Sequence, residues 1–466
     1  MTRMRRNAII RRHWPAQKPM KVKSVRFAAL FLAVGVALWL FWERPWHAQH
    51  VTIRVIGEAV STVDAIQKLS KQYTAETGVD VDVEKYEFDS ALEKSTLDLT
   101  SHSGAYDIVL QYGPALGRFA NLGALYTVPE LEKLTGQKAD FTDDLFPMWH
   151  DLSWYKGKQY GYPFAANTMY VWYRKDLIDD PKEKVAFQQK YGYNLAAPTT
   201  WQQYHDLAEF FTRPQQHFFG TIVQGKRHPA VWYEWLNFAY SFGGGVMDKS
   251  QPWEYGPIII NSPETVRATE YYKSLAQFSP PGVTNFTWDD ALAEMQQGKI
   301  FMCIMWSDSV FGVEDPAASK VVGKVGFAPL PVGPAGKLAQ VAGGSYFVSR
   351  YSRNPGEAFK FILWMMRRDN QIAQELDGGA SARESVYQDP RVEQLPYVAA
   401  HTASLAVGRH MSDTIPEATQ ESDIIELALS NVLSGQASPQ QALDAAAVDL
   451  HALLGDKCPL RYQPQK

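Results

Sequence analysis

Residues 160–177 read YGYPFAANTMYVWYRKDL. An apolar, aromatic run from Tyr160 to Ala166 is interrupted by the polar pair Asn167-Thr168. A second run, Met169 to Tyr173, follows and ends in the charged turn Arg174-Lys175-Asp176. Two short β-rich runs meeting at a small polar break fit a chain leaving one sheet and entering another. They fit one bent strand equally well. On the first reading, Asn167 sits at the mouth between two α/β lobes.

The segments on either side carry the strand–helix rhythm this requires. Residues 51–56 form a short β run. Residues 63–74 have helical spacing at Ile66, Leu69 and Tyr73, stopped by Gly78. Residues 79–86 alternate like a strand, 92–101 are helical, and 106–111 are an apolar strand broken by Gly113-Pro114. A βαβαβ start predicts a mostly parallel sheet with its ligand sites beyond the carboxyl ends of the strands. Glu58 and the pair Gln111-Tyr112 occupy those ends.

On the other side, Thr200 caps a helix with Gln203 three residues on. Residues 232–242 are an aromatic helix stopped by three glycines, and Pro263 opens another helix. Asp289 is expected to cap a short helix ending at Gly298. Residues 299–306 are a strand that delivers Trp306 and Asp308 to its carboxyl end. Strands at 325–330 and 344–349 and helices at 357–366, 424–433 and 439–454 complete the pattern. The division this suggests is residues 51–163 with 318–356 for the first lobe, and 164–317 with 357–466 for the second.

The chain has 466 residues, too many for one ordinary core. Residues 1–50 carry ten Lys/Arg and one acidic residue, which leaves 36 basic against 49 acidic residues and a net of −13 for the remainder. So acidic a folded part argues against nucleic acid as partner. Fourteen Trp and 23 Tyr exceed the needs of a core, so some of these polar-edged rings are expected to line a wet cleft.

The amino terminus is a basic leader followed by an uncharged apolar run, residues 25–42. That is an export signal or a membrane anchor, with the positive flank inside. The length of the run, and Trp46 at the minus-three position of a cleavage site after Ala48, favour the anchor. Met20 opens a more conventional signal than Met1. Export would allow Cys303 and Cys458 to pair, which the sequence leaves open.

Catalytic and cofactor motifs are missing. There is no phosphate loop, no G-x-G-x-x-G after a strand, no G-x-S-x-G elbow and no Cys/His metal spacing, so neither cofactor nor metal is expected. A carbohydrate-active enzyme would need two carboxylates across a cleft. Glu234, Asp289, Asp290 and Asp308 are the candidates, but none forms a recognisable nucleophile–base pair.

In their order and spacing these segments resemble the family 1 extracellular solute-binding proteins, the maltose-binding-protein-like receptors of ABC importers. The matching stretches are YDIVLQYGPALGRFANLGALYTV at 106–128, the crossing at 161–177, Pro198-Thr-Thr-Trp, residues 291–306, Phe327-Ala-Pro-Leu-Pro, Gly343-Gly344 and GASARESVYQDP at 379–390. The resemblance implies a periplasmic-binding-protein-like fold whose two α/β lobes, joined by a hinge, close on a solute. It implies ligand contacts from Gln111, Tyr112, Asn167, Trp232, Tyr233, Trp306, Asp308, Ser345 and Arg383, beside Glu58. Trp, Tyr and polar side chains suit a sugar, whose C–H faces want a flat ring and whose hydroxyls want hydrogen-bonding partners. Each ring has ordinary packing as its alternative, and Arg383 a structural ion pair. Pro114 and Asn167 stand where maltodextrin binders carry acidic contacts, which points to smaller sugars or polyols. The implied partners are that solute and the permease subunits of an inner-membrane importer. The expected protein is a non-catalytic periplasmic monomer, tethered if residues 25–42 stay attached. A sensory or scaffold module of the same fold is the alternative, and a hydrolase the third.

Overall fold

The structure is a computed structural model that describes residues 51–465. Two sheets organise this part. The first has five strands in the order β2-β1-β3-β8-β4: β1 Thr52–Glu58, β2 Asp80–Tyr86, β3 Ile108–Tyr112, β4 Gly161–Ala165 and β8 Gly344–Val348. The β1 strand pairs in parallel with β2 and β3, whereas β8 runs antiparallel to β3 and β4. The second sheet has three strands, with β5 (Met169–Arg174) antiparallel to both β6 (Met302–Trp306) and β7 (Val325–Ala328). This is the periplasmic-binding-protein-like fold, with two α/β lobes and a cleft between them.

Residues 160–177 therefore belong to two sheets. The break at Asn167-Thr168 separates the last strand of one from the central strand of the other. A second passage of chain pins it from the side. The Ala342 amide donates to the Asn167 carbonyl at 3.0 Å, and Thr168 Oγ1 donates to the Gln340 carbonyl at 3.0 Å. The Gly343-Gly344 pair makes this contact possible. A Cβ on Gly343 would lie 2.1 Å from the Ala165 carbonyl oxygen, and one on Gly344 2.2 Å from the Phe164 ring. Any side chain there would wedge the two passages apart.

Two segments stand elsewhere than the sequence division put them. The β7 strand completes the second sheet, so residues 318–328 do not pass into the first. The helices Pro355–Met365 and Arg368–Gly378 pack on the first lobe, where the rings of Phe361 and Trp364 meet Tyr73 of helix Ser61–Thr77 at 5.1 and 5.3 Å. An amphipathic helix shows which of its faces is apolar, not which lobe buries it. The helices Ala418–Leu433 and Pro439–Leu454 pack on each other and on helices Pro229–Ser241 and Pro263–Leu275.

Both cysteines are buried and unbonded to each other. Cys303 is the second residue of β6, and Cys458 Sγ lies 3.5 Å from Met247 Sδ. The basic leader and the apolar run at 25–42 lie outside the described residues. Among the described residues no helix is long and apolar enough to cross a membrane.

Candidate functional site

The carboxyl ends of β1, β3 and β6 face one another around a cavity of about 290 Å³. Strand alternation decides what enters it. On β3, Tyr112 reaches the cavity, while its neighbour Gln111 points the other way and donates to Ser95 Oγ at 3.0 Å and the Ala91 carbonyl at 3.3 Å. Glu58 ends β1, and its carboxylate accepts the Tyr112 hydroxyl proton donor. Trp306 ends β6 and meets Tyr233 edge-on at 5.7 Å. Just beyond, Asp308 Oδ2 accepts from Asn167 Nδ2 at 2.6 Å, and its carbonyl accepts from Ser61 Oγ at 2.5 Å.

Of the ten residues singled out from the sequence, Glu58, Tyr112, Asn167, Tyr233, Trp306 and Asp308 line this cavity. Four do not. Gln111 has its partners in helix Phe88–Ser101. Trp232 is one helical step from Tyr233, which turns it into the core of the second lobe. Ser345 is fully buried, where its hydroxyl meets Ser153 Oγ at 2.7 Å and donates to the Leu152 carbonyl at 3.1 Å. Arg383 donates to Asp144 Oδ2 at 2.6 Å and to the Met366 carbonyl at 2.7 Å, with Phe141 under its guanidinium. It is the structural ion pair. Arg383→Ala is expected to lower the melting temperature by several degrees, because it strands a half-buried carboxylate. Ligand affinity should stay within about threefold of the parent, under 1 kcal/mol. Calorimetric melting and a titration on the same variant check both halves.

Sequence reasoning missed the rim. Phe88, Trp288 and His228 each stand at the start of a helix. The first two rings approach to 5.6 Å and the last two to 4.7 Å, which carries aromatic contact across the opening. His228 Nδ1 accepts from the Ala230 amide at 3.1 Å, so in the neutral ring the proton is on Nε2. Glu87, Asp89, Asp289 and Lys226 complete the rim. Asp289 is not the cap of its helix. Thr287 is the N-cap, with Asp290 reaching back to its amide at 2.8 Å, which leaves Asp289 at the cavity. The signal for these residues was present in the sequence: an aromatic or charged residue beside a helix start. Nothing in one chain stretch says that three helix starts converge.

Burial shapes the acid chemistry. It pushes Glu58 up to about 8, with Asp308, Asp289 and Glu87 adding to the rise and the Tyr112 hydrogen bond opposing it. Asp308 is raised to about 6 by burial against the opposing bonds from Asn167 and Ser309. Glu234 lies outside the cavity. It accepts from the Gln224 amide at 2.9 Å and from the Tyr272 hydroxyl at 2.7 Å, and burial raises it to about 7. These groups hold protons in the fold that the unfolded chain releases at an ordinary carboxyl pKa. The unfolded state therefore binds fewer protons, and stability falls as pH rises. The buried His401 and His410, held near 3 and 4 by burial, act in the opposite sense only below about 6.5. The ligand-free protein is thus expected to lose melting temperature between about pH 6.5 and 8, a decline that Glu58→Gln should flatten. A melting series across that range checks the sign.

A fold of two lobes, with strand ends and aromatic rings around a half-open cavity, is that of a solute receptor. The chain belongs to the bacterial extracellular solute-binding protein family, whose model matches residues 68–400. It is a binding protein of the ABC-importer type. The mannitol-binding protein of Pseudomonas aeruginosa is 28% identical over 384 residues, 76% of this chain and 81% of that protein. A probable ABC transporter-binding protein of Deinococcus radiodurans is 27% identical over 310 residues, 64% of this chain and 70% of that one. Among solved structures, an ABC transporter solute-binding protein of Agrobacterium radiobacter K84 in complex with ribitol superposes with a TM-score of 0.76 at 29% identity. That match covers 86% of this chain and 98% of that one.

Proposed function

We propose that this protein captures a sugar or polyol of about monosaccharide size in its cleft and hands it to an ABC permease in the inner membrane. The observation that carries this reading is the cavity itself. At about 290 Å³ it is at the small end of ligand sites, and aromatic rings share its wall with Glu58, Asn167 and Asp308. Trp306 and Tyr233 would cover the carbon face of the solute, and the polar groups would pair with its hydroxyls. Mannitol and ribitol in the names of two relatives support a linear polyol over a long maltodextrin. The lobes would be residues 51–166 with 342–397 and residues 167–341 with 398–465. The membership of β7 and β8 in different sheets supports these bounds.

The protein would act as a periplasmic monomer without chemical turnover, with residues 25–42 holding it at the inner membrane. Extended incubation with a bound sugar should return that sugar intact. A melting screen of the full-length protein against D-mannitol, ribitol, D-tagatose and maltose tests the reading. A concentration-dependent rise with one of the alditols or the ketose supports it, because a ligand that binds only the folded state stabilises by mass action. A rise with maltose alone, or with none of them, overturns it. Fractionation tests the tether: a product beginning near residue 49 and wholly soluble in the periplasm would end that part of the proposal.

A further inference from the structure

Outside the solute cavity, a second contact joins the two sides of the molecule. Residues 408–417 form a strap that packs with the second sheet, where Met411 and Ile415 share a core with β5 and β6. The bonds of the strap run to that side. The Arg409 carbonyl accepts from the Val341 amide at 2.9 Å, and the Met411 amide donates to Gln340 Oε1 at 3.1 Å. The Tyr240 hydroxyl donates to the Met411 carbonyl at 3.4 Å, and the Thr414 amide to the Pro252 carbonyl at 2.8 Å. Asp413 holds Lys249 in a buried ion pair.

The opposite face of the strap lies on helix Gly113–Asn121, which follows β3 of the first sheet. Two glycines make room for it, one turn apart on one face of the helix. A Cβ on Gly113 would lie 2.0 Å from His410 Nε2, and one on Gly117 2.1 Å from the Thr414 carbonyl oxygen. Yet among the described residues no hydrogen bond or ion pair joins the strap to this helix. Both ring nitrogens of His410, and Thr414 Oγ1, are buried without a partner in the protein. The polar atoms of a permanently packed interface are nearly always bonded, because leaving them dry and unpaired costs free energy. Here that cost disappears once the two surfaces separate and water reaches them.

We propose that this seam is parted in the empty receptor and shuts only around solute, with Gly113 and Gly117 as positioning residues whose bare backbone lets the strap come to rest. Neither glycine lines the cavity. A methyl group at either would hold the strap, and the second sheet with it, off the helix. The solute would then lose the contacts that only the closed cleft supplies. This rests on the reading of the cleft as a solute site and adds the place where its closure is limited.

Gly117→Ala and Gly113→Ala test this in the full-length protein, with D-mannitol, ribitol and D-tagatose as probes. The readouts are ligand-free melting, calorimetric titration and small-angle X-ray scattering. In a parted seam the added methyl meets only water, and alanine suits a helix better than glycine. The ligand-free melting temperature of Gly117→Ala should therefore equal or exceed the parent's. Binding of whichever probe the parent takes should weaken tenfold or more, and the contraction in radius of gyration that the parent shows on saturation should shrink. Gly113→Ala should weaken binding likewise. Adding His410→Ala to it removes the clashing ring and should bring affinity back to within about threefold of the parent. A fall of many degrees in the ligand-free melting of Gly117→Ala would mean a permanently packed contact and overturn the proposal. So would parent-like affinity and contraction in both alanine variants, or an affinity that stays low in the double variant. If none of the three probes binds the parent, the sugar and polyol reading is lost, and ligand-free melting decides the seam by itself: an unchanged value supports it and a large fall refutes it.

Discussion

Trp306→Ala is expected to weaken solute binding by about thirty- to a thousand-fold, or about 2–4 kcal/mol, the range of a buried aromatic anchor. Trp306 ends β6, an edge strand whose backbone pairs with β5 along Met302–Trp306 and on its other edge meets the Gly220 carbonyl through the Met302 amide and the Gln224 side chain through the Ile304 carbonyl. Its ring is 8% exposed, and what remains open faces the cavity. Lobe closure would lay the ring on the solute, and binding can drive closure only through contacts that the open state lacks. The ligand-free protein should melt only modestly lower, because part of the ring borders the cavity rather than core. The competing outcome is distinct. A Trp306 that is chiefly core would cost the ligand-free protein many degrees on truncation and leave affinity nearly intact. Calorimetry and melting on one variant separate the two, and near-normal affinity in a strongly destabilised protein would refute the stacking role.

Glu234→Ala is expected to do the reverse. The variant should lose about 3–5 kcal/mol of stability at neutral pH, or fail to accumulate, with no specific loss of affinity in whatever folds. Glu234 lies in the middle of helix Pro229–Ser241, and two donors converge on its carboxylate, the Gln224 amide and the Tyr272 hydroxyl. Truncation leaves both donors buried without a partner and opens a hole beside Tyr272. Glu234→Gln keeps the shape and should recover most of the loss, the more so at alkaline pH, where the parent carboxylate is charged. Denaturant unfolding of the three proteins measures the series. A loss of affinity in Glu234→Gln with stability retained would move this residue from the core into the function.

Several elements could be read from the sequence because each depends on local chemistry. The two runs of 160–177 are continuous apolar, aromatic stretches, and the polar break between them lies where the structure changes sheets. Thr200 and Ser262 cap the helices they precede, because their hydroxyls reach only the next turn. The helix Pro439–Leu454 matches its expected bounds because Ser438, Pro439 and Gln441 mark its start without ambiguity. Glu58 and Tyr112 could be placed near the cavity because parallel-sheet geometry puts strand ends at the site, and Trp306 and Asp308 because they close an apolar run that reads as a strand.

Tertiary structure alone decided the rest. Gln111 and Tyr112 are equally close to the end of β3, and only the position of helix Phe88–Ser101 says which of them has a buried partner. Trp232 and Tyr233 differ by one residue and therefore by about a quarter turn, which no composition resolves. Arg383 and Asp144 are 239 residues apart in the chain, so their ion pair exists only once the lobe has formed. Asp289 looked like a cap because either Thr287 or Asp289 could start that helix, and the choice is made by which residue's side chain reaches the N3 amide. The rim of Phe88, His228 and Trp288 is assembled from three helix starts that are distant in sequence. Local interactions are written into short stretches of chain. A binding cleft is made where distant stretches meet, and that meeting is fixed by the packing of the two sheets and their helices.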